Sequence, residues 1–485
     1  MEKIPLGAWD FAIVGFSIAI LLVIAYFSGK EEKDTADFFL ARRKIPVWAA
    51  CLSFVATEIS ALTIVGVPAT GYRENWQYLQ FFIGSASARL FIAFFFIPAF
   101  YRYNCTTIYE FLRHRFGPAT QYAGSVFFFI TRLLASGVRL YAASLAVSVM
   151  LGWSLGQAVL LFTLVAIAYI AFGGIKAIVW TNVFQSLSFY IAGLATLVFL
   201  LFHIQGGFSE IWRVAGEGGR LKLLNLGWNF QDPNLLWIAI LNGFFGSMAA
   251  FGTDHELMQR LLTVETRRES QKTLTMTIVA VLPLLLTYLS LGTLLYVFYQ
   301  QNAGLPLPEN SDKILSHFAT HVMPSGLKGL VLAAILLASI DSPLGSLSAS
   351  FVTDIYRNLM KPSGTEAHYL KVSRICVVVF GIILGILAYE CRAFEGMLWV
   401  AFKINGVTAG SLLGVFLLGL LTTRSGNRGN VVAMVLSSVT MATLLVLSEK
   451  KIIGLGWSWL IVFGTLSTFV LGYVLGPLLD KKSQA

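Results

Sequence analysis

Apolar runs of about 20 residues, long enough to cross a hydrocarbon core, recur along the chain between short polar stretches. Read this way, the sequence predicts thirteen spans: 8–28, 46–71, 76–101, 119–150, 156–171, 177–203, 234–253, 272–299, 325–357, 371–390, 395–420, 428–447 and 454–478. The first run is long enough to be a helix in its own right, so it is not read as a removable leader. The expected class is all-α, a polytopic membrane protein. No soluble domain fits between the spans. The longest expected outside loops, 204–233 and 300–324, are short and rich in Gly, Pro and Asn, as lids or connectors are. No low-complexity stretch and no sequence repeat stands out, although transporters often carry repeats that only structure reveals.

Composition agrees with this pattern. Hydrophobic residues are 56% and charged residues 12%, about half the share of roughly 25% in soluble chains. The net charge of +10 is explained by where the charges fall. Of the 35 Lys and Arg, 21 lie on the side of the loops at 29–45, 102–118, 254–271 and 358–370, ten on the other side and four inside spans. The positive-inside rule then places the N-terminus outside and the C-terminus in the cytoplasm, in a cell membrane of bacterial inner-membrane type. The charge is thus a topology signal, and no nucleic-acid partner is implied. The 4 cysteines are scattered without a CxxC pair, so neither a metal site nor a disulfide framework is suggested. No GxxxxGK[ST] occurs, which disfavours an ATP-driven pump.

Ionisable groups inside spans are costly and usually functional. Here they are Glu58, Arg89, Arg132, Arg139, Asp341 and Lys403, with the polar groups Gln80, Asn182, Gln185, Asn242 and Asn405 nearby. The second span, "FVATEISALTIVGVPATGY", mixes Thr57, Glu58, Ser60 and Thr63 with Gly66, Pro68 and Gly71. An unwound backbone there exposes carbonyls, tolerable at mid-membrane only where they line a site. Hard cations such as Na⁺ take oxygen ligands. The seventh span has Asn242, Gly243, Gly246 and Gly252 where a second break is expected, although such glycines also serve close helix packing. In the ninth span, "LLASIDSPLGSLSAS", Ile335, Ala338, Ser339 and Ser342 share one helix face with Asp341 on its flank. Serines alone read as packing residues; an Asp among them points to a cation site. The histidines lie at span ends or in loops, which speaks against an intramembrane enzyme. Only His317 and His321 in "HFATH" have a metal-like spacing, and they lack the Glu of HExxH.

These stretches, together with "GGIKAIVWTNVFQS", "DHELMQRLL" and "GSLLGVFLLGL", resemble the sodium:solute symporter family over about residues 8–480. The resemblance implies a leucine-transporter-like 5+5 inverted repeat with broken first and sixth core helices. The repeats would cover 46–203 and 234–420, separated by an extracellular loop at 204–233. An extra helix and cytoplasmic loop (1–45) would precede them, and two helices with a cytoplasmic tail (421–485) would follow. By position, one Na⁺ would be held by the carbonyls of Ala56, Ile59 and Ile335 and the hydroxyl of Ser339. Ala338 stands where the family usually has a second hydroxyl. A second Na⁺, found in some members, uses an Asp at the position of Asn182 and hydroxyls at 338, 341 and 342. Here the carboxylate has moved to Asp341, with Ser342 beside it. That exchange either keeps the second site's charge or gives Asp341 an outer role at the first. Substrate contacts carried over by position are Glu58, Ser60 and Thr63, with Gln80 and Phe82 opposite and Asn242 on the sixth core helix. The arginine of sialic acid carriers falls on Ala135; Arg139, one turn away, is its candidate replacement.

The expected function is secondary active transport: Na⁺-coupled symport of a small sugar, carboxylate or amino-acid-like solute by alternating access. The alternatives are a proton-coupled carrier using Asp341 or Glu58, and a solute sensor or channel of the same descent. The excess of buried cations over buried anions among the spans hints at an anionic solute, with Glu58 pairing Arg89 or Arg139 as the countervailing possibility.

Overall fold

The computed structural model describes residues 6–29, 35–229, 232–308, 310–340, 343–393, 397–424 and 426–480, and every regular element among them is a helix. Backbone chemistry in a bilayer requires this, because each N–H and C=O must be satisfied within its own segment. α1 (Ala8–Gly29) precedes a bent pair, α2 (Val47–Glu58) and α3 (Ala61–Arg73), which meet at 62°. There follow α4 (Leu79–Phe91), α5 (Pro118–Leu151) and α6 (Leu155–His203), the last kinked at Gly174. A second bent pair, α7 (Leu236–Gly252) and α8 (His255–Leu261), meets at 70°. The chain continues through α9 (Arg267–Gln301), α10 (Leu327–Ile340), α11 (Leu344–Ser350) and α12 (Glu366–Glu390). It closes with α13 (Met397–Leu421), α14 (Arg428–Glu449) and α15 (Trp459–Asp480).

Ten of the described helices are long and apolar enough to cross a membrane, and the two bent pairs raise this to twelve. The expected fifth span is the shorter apolar stretch Leu155–Ala168, so thirteen is reached only by counting it as well. It is parted from the sixth, Gly174–His203, by a kink at Gly174, whose φ of 46° an L side chain rarely adopts.

Of the four positions that marked the second break, Gly252 stands at it, and Asn242, Gly243 and Gly246 do not. α7 runs unbroken through all three and turns only after Gly252, at Thr253 and Asp254. The glycine at 243 serves packing instead: a Cβ there would collide with the Phe81 carbonyl, and one on Gly84 with the Ile240 carbonyl. The same close approach recurs between α3 and α9, where Gly71 faces the Leu289 carbonyl and Gly292 the Pro68 carbonyl. The first core helix therefore meets the seventh as the sixth meets the second, which is the exchange an inverted repeat makes. Small residues allow such backbone contact in membranes, where no hydrophobic force drives helices together.

Candidate functional site

Both breaks border one cavity of about 260 Å³, walled by the α2–α3 and α7–α8 turns, α4, α5 and α13. Glu58, Ser60, Thr63, Phe82, Arg139 and Asn242 all line it. Gln80 does not. Its buried amide donates to the carbonyls of Gln77 (3.1 Å) and Asn234 (2.7 Å) and accepts from the Asn225 N–H (3.0 Å). It fastens Asn225 and Asn234 to the start of α4, a role that its place beside Phe82 in the sequence did not show. Asn242 lines the cavity while its amide donates to the Ser458 carbonyl at 2.8 Å.

The first break is made by two residues in extended conformation, Ile59 (ψ 99°) and Ser60 (ψ 174°). The last backbone bond of α2 runs from the Ile59 N–H to Val55 O, and the next from the Thr63 N–H to Ser60 O, each 2.8 Å. Glu58, the last residue of α2, accepts from Arg89 at 2.5 Å, and Arg89 also donates to the Thr277 hydroxyl at 2.6 Å. Arg89 is fully buried against the faces of Phe251 and Phe54. The second carboxylate oxygen of Glu58 is buried and makes no hydrogen bond among the described residues.

At the second break Asp254 caps α8, its side chain accepting from the Glu256 N–H at 2.9 Å. Arg132, on α5, lies 3.4 Å from the Asp254 carboxylate and is ion-paired with Glu256. Tyr109 donates to the Thr253 carbonyl at 3.0 Å. Asp254, Glu256 and the buried Arg260 were not among the sequence candidates, because the span was ended at residue 253 where apolar character stops. The available signal was the charge pattern of "DHELMQR" set against an arginine in mid-helix. Lys403, counted with the buried cations, instead reaches the half-exposed Glu449 at 2.7 Å.

Of the residues assigned to Na⁺, Ala56 and Ile335 are buried, and Ser339 donates to the Ile335 carbonyl at 2.6 Å. Ala338 and Ser339 border a cavity of about 20 Å³ together with Ser60 of the first break, a space that takes one water or small ion. Asn182 is fully buried, and its amide donates to the Ser53 and Thr57 hydroxyls at 3.2 and 3.0 Å. Asp341 and Ser342 lie outside the described residues. His317 and His321 stack with ring centres 4.0 Å apart, and the Nδ1 of His321 meets the His317 carbonyl. No cluster of three metal-ligating side chains occurs among the described residues.

A polytopic helical protein whose two broken helices face a central cavity is a secondary transporter by class. Comparison with known proteins gives the family. The model of the sodium:solute symporter family matches residues 38–437. The sodium/sialic acid symporter SiaT of Proteus mirabilis is 29% identical over 496 residues, spanning 100% of this chain and 98% of that one. The sodium/sialic acid symporter NanT of Aliivibrio fischeri is 30% identical over 493 residues, spanning 99% and 95%. The substrate-bound outward-open state of a Na⁺-coupled sialic acid symporter superposes with a TM-score of 0.89 at 26% identity, over 98% of each chain. This chain belongs to the sodium:solute symporter family, whose members are transporters and not enzymes.

Proposed function

We propose that the protein carries a small organic solute inward with Na⁺ by alternating access. The observation that carries this reading is the adjacency of two spaces at the first break: a 260 Å³ cavity of solute size and, beside Ser60, an ion-sized one bordered by Ser339. Na⁺ bound by the carbonyls of Ala56, Ile59 and Ile335 and the Ser339 hydroxyl would tie α2 to α10 and complete the solute cavity. Coupling then follows from population shift, since the ion favours the state in which the solute site is formed. On this reading the five-helix repeats are 46–203 and 234–420, with the N-terminus outside and the C-terminus in the cytoplasm.

The solute class follows from charge. Among the described residues, the cations around the breaks are Arg89, Arg132, Arg260 and the half-buried Arg139, set against the carboxylates of Glu58, Asp254 and Glu256. Of these cations, Arg139 lines both the solute cavity and the small space beside it. A solute carboxylate fits its fork of N–H donors, and such solutes include the sialic acids named for the relatives. Ala135 lines the cavity where those carriers have arginine, so this chain would hold a carboxylate through Arg139 instead. Glu58 is already engaged by Arg89, which works against its use as a proton carrier. Uptake into proteoliposomes tests the reading: an inward Na⁺ gradient should accumulate a carboxylate-bearing solute, and a K⁺ gradient should not. Equal accumulation under both gradients would sink it.

A further inference from the structure

Two side chains on the wall of the solute cavity, Trp457 and Ile461, come from outside both proposed repeats, at the start of α15. Packing against α13 brings them there. Gly406, Gly410 and Gly414 recur every four residues on α13. A Cβ on Gly410 would stand 2.9 Å from the Ile461 carbonyl, and one on Gly414 2.5 Å from the Thr465 carbonyl. The two backbones touch, as small residues allow in membranes. The chain on either side of Trp457 is also tied down. The Asn242 amide, itself on the cavity wall, donates to the Ser458 carbonyl at 2.8 Å, and the Ser448 hydroxyl donates to the Leu455 carbonyl.

Position then gives the chemistry. Asn242 stands ten residues before Gly252 on α7, about 15 Å along a helix that rises 1.5 Å per residue. The chain at Trp457 is therefore held toward the end of the cavity away from the second break. Arg139 belongs to the breaks: its guanidinium donates to the Thr57 carbonyl at 3.3 Å, and its charge is felt at Asp254. A solute gripped there by its carboxylate reaches Trp457 only if it carries a body of about one ring or more. Indole offers such a body a broad apolar face and one N–H donor, which suits the C–H face of a sugar ring and a hydroxyl at its edge.

We propose that Trp457 is a specificity-determining residue of the solute site, selecting carboxylates with a ring-sized body over short ones. The proposal rests on the symport reading above and adds to it a wall from outside the repeats.

Uptake into proteoliposomes under an inward Na⁺ gradient tests it, with lactate and N-acetylneuraminate as the short and ring-bearing probes. Wild type should favour N-acetylneuraminate. Trp457→Ala should raise its KM about tenfold, the effect of truncating one well-packed aromatic contact. The maximal rate should hold, because a contact made equally throughout the reaction acts on KM alone. Lactate uptake should barely change, and Trp457→Phe should keep most of the affinity for the larger probe. The Na⁺-dependent thermal shift of Trp457→Ala should match wild type. If that variant loses the shift, Trp457→Leu takes its place with the same contrast expected between probes. An unmoved KM for N-acetylneuraminate overturns the proposal, as does an equal loss for both probes or wild type that does not carry N-acetylneuraminate. Accumulation that is equal under Na⁺ and K⁺ gradients overturns the symport reading instead, so the two failures are separable.

Discussion

At the first break the chain turns by 62° through Ile59 and Ser60, and at the second by 70° through Thr253 and Asp254. The angles are close and the chemistry is not. Around the first turn the neutral donors and acceptors are Ser53, Thr57, Ser60 and Asn182, and the one charge at the helix end, Glu58, is held from α4 by Arg89. Around the second turn Asp254 and Glu256 are both engaged by Arg132 of α5. An exchangeable ion needs ligands not already committed to a fixed cation. The first break offers such ligands, whereas the second spends its carboxylates on an internal arginine. An inverted repeat thus supplies two turns of like geometry, and on the proposed reading side-chain charge divides them into a binding turn and a fastened one.

The sharpest way to break this comparison is at the fastened turn. Arg132→Ala leaves two carboxylates without their cation, and stranding a buried charge costs about 3–5 kcal/mol. We expect a large fall in melting temperature of the solubilised protein. A variant as stable as wild type would show that the ion pairs do not hold the second break. Glu58→Gln ranks next. It leaves the cationic Arg89 with a neutral amide acceptor in place of a carboxylate at the edge of the cavity, so solute affinity should fall by about tenfold, the worth of one charged hydrogen bond. The Na⁺-dependent thermal shift should remain. Loss of that shift with solute affinity preserved would reassign Glu58 to the ion. Thr57→Val, which removes one neutral acceptor of the Asn182 amide, should cost only about 1 kcal/mol in a urea or thermal titration. A loss equal to that of Arg132→Ala would erase the distinction between the two turns.

Much of this was legible from residue order. Apolar run length gave the helices, since a bilayer allows few other structures, and Glu58 and Ser60 marked the first break through polar side chains in an apolar run. The second break was marked over Asn242 to Gly252 and falls at the far end of that stretch, because glycine signals both a turn and a close packing contact. Only the neighbouring Phe81 and Ile240 carbonyls decide between those uses at Gly243 and Gly84. The pairing of Arg132 was hidden for a different reason. Its partners follow the end of the apolar run, and a hydropathy reading assigns charged residues there to a loop. Gln80 shows the converse error: a polar residue within a span was read as a ligand, while its bonds are all to backbone groups.

The central claim is that the first break and the Ile335–Ser339 turn hold sodium. Melting temperature in saturating Na⁺ against equal K⁺, for wild type and Ser339→Ala, tests it most directly. Ion binding to the folded state alone stabilises by about 2.7 kcal/mol at a hundredfold excess over Kd. Wild type should therefore melt clearly higher in Na⁺, and Ser339→Ala should lose most of that difference while keeping its melting temperature in K⁺. Equal melting of wild type in the two salts, or a Na⁺ shift undiminished in Ser339→Ala, would contradict the claim.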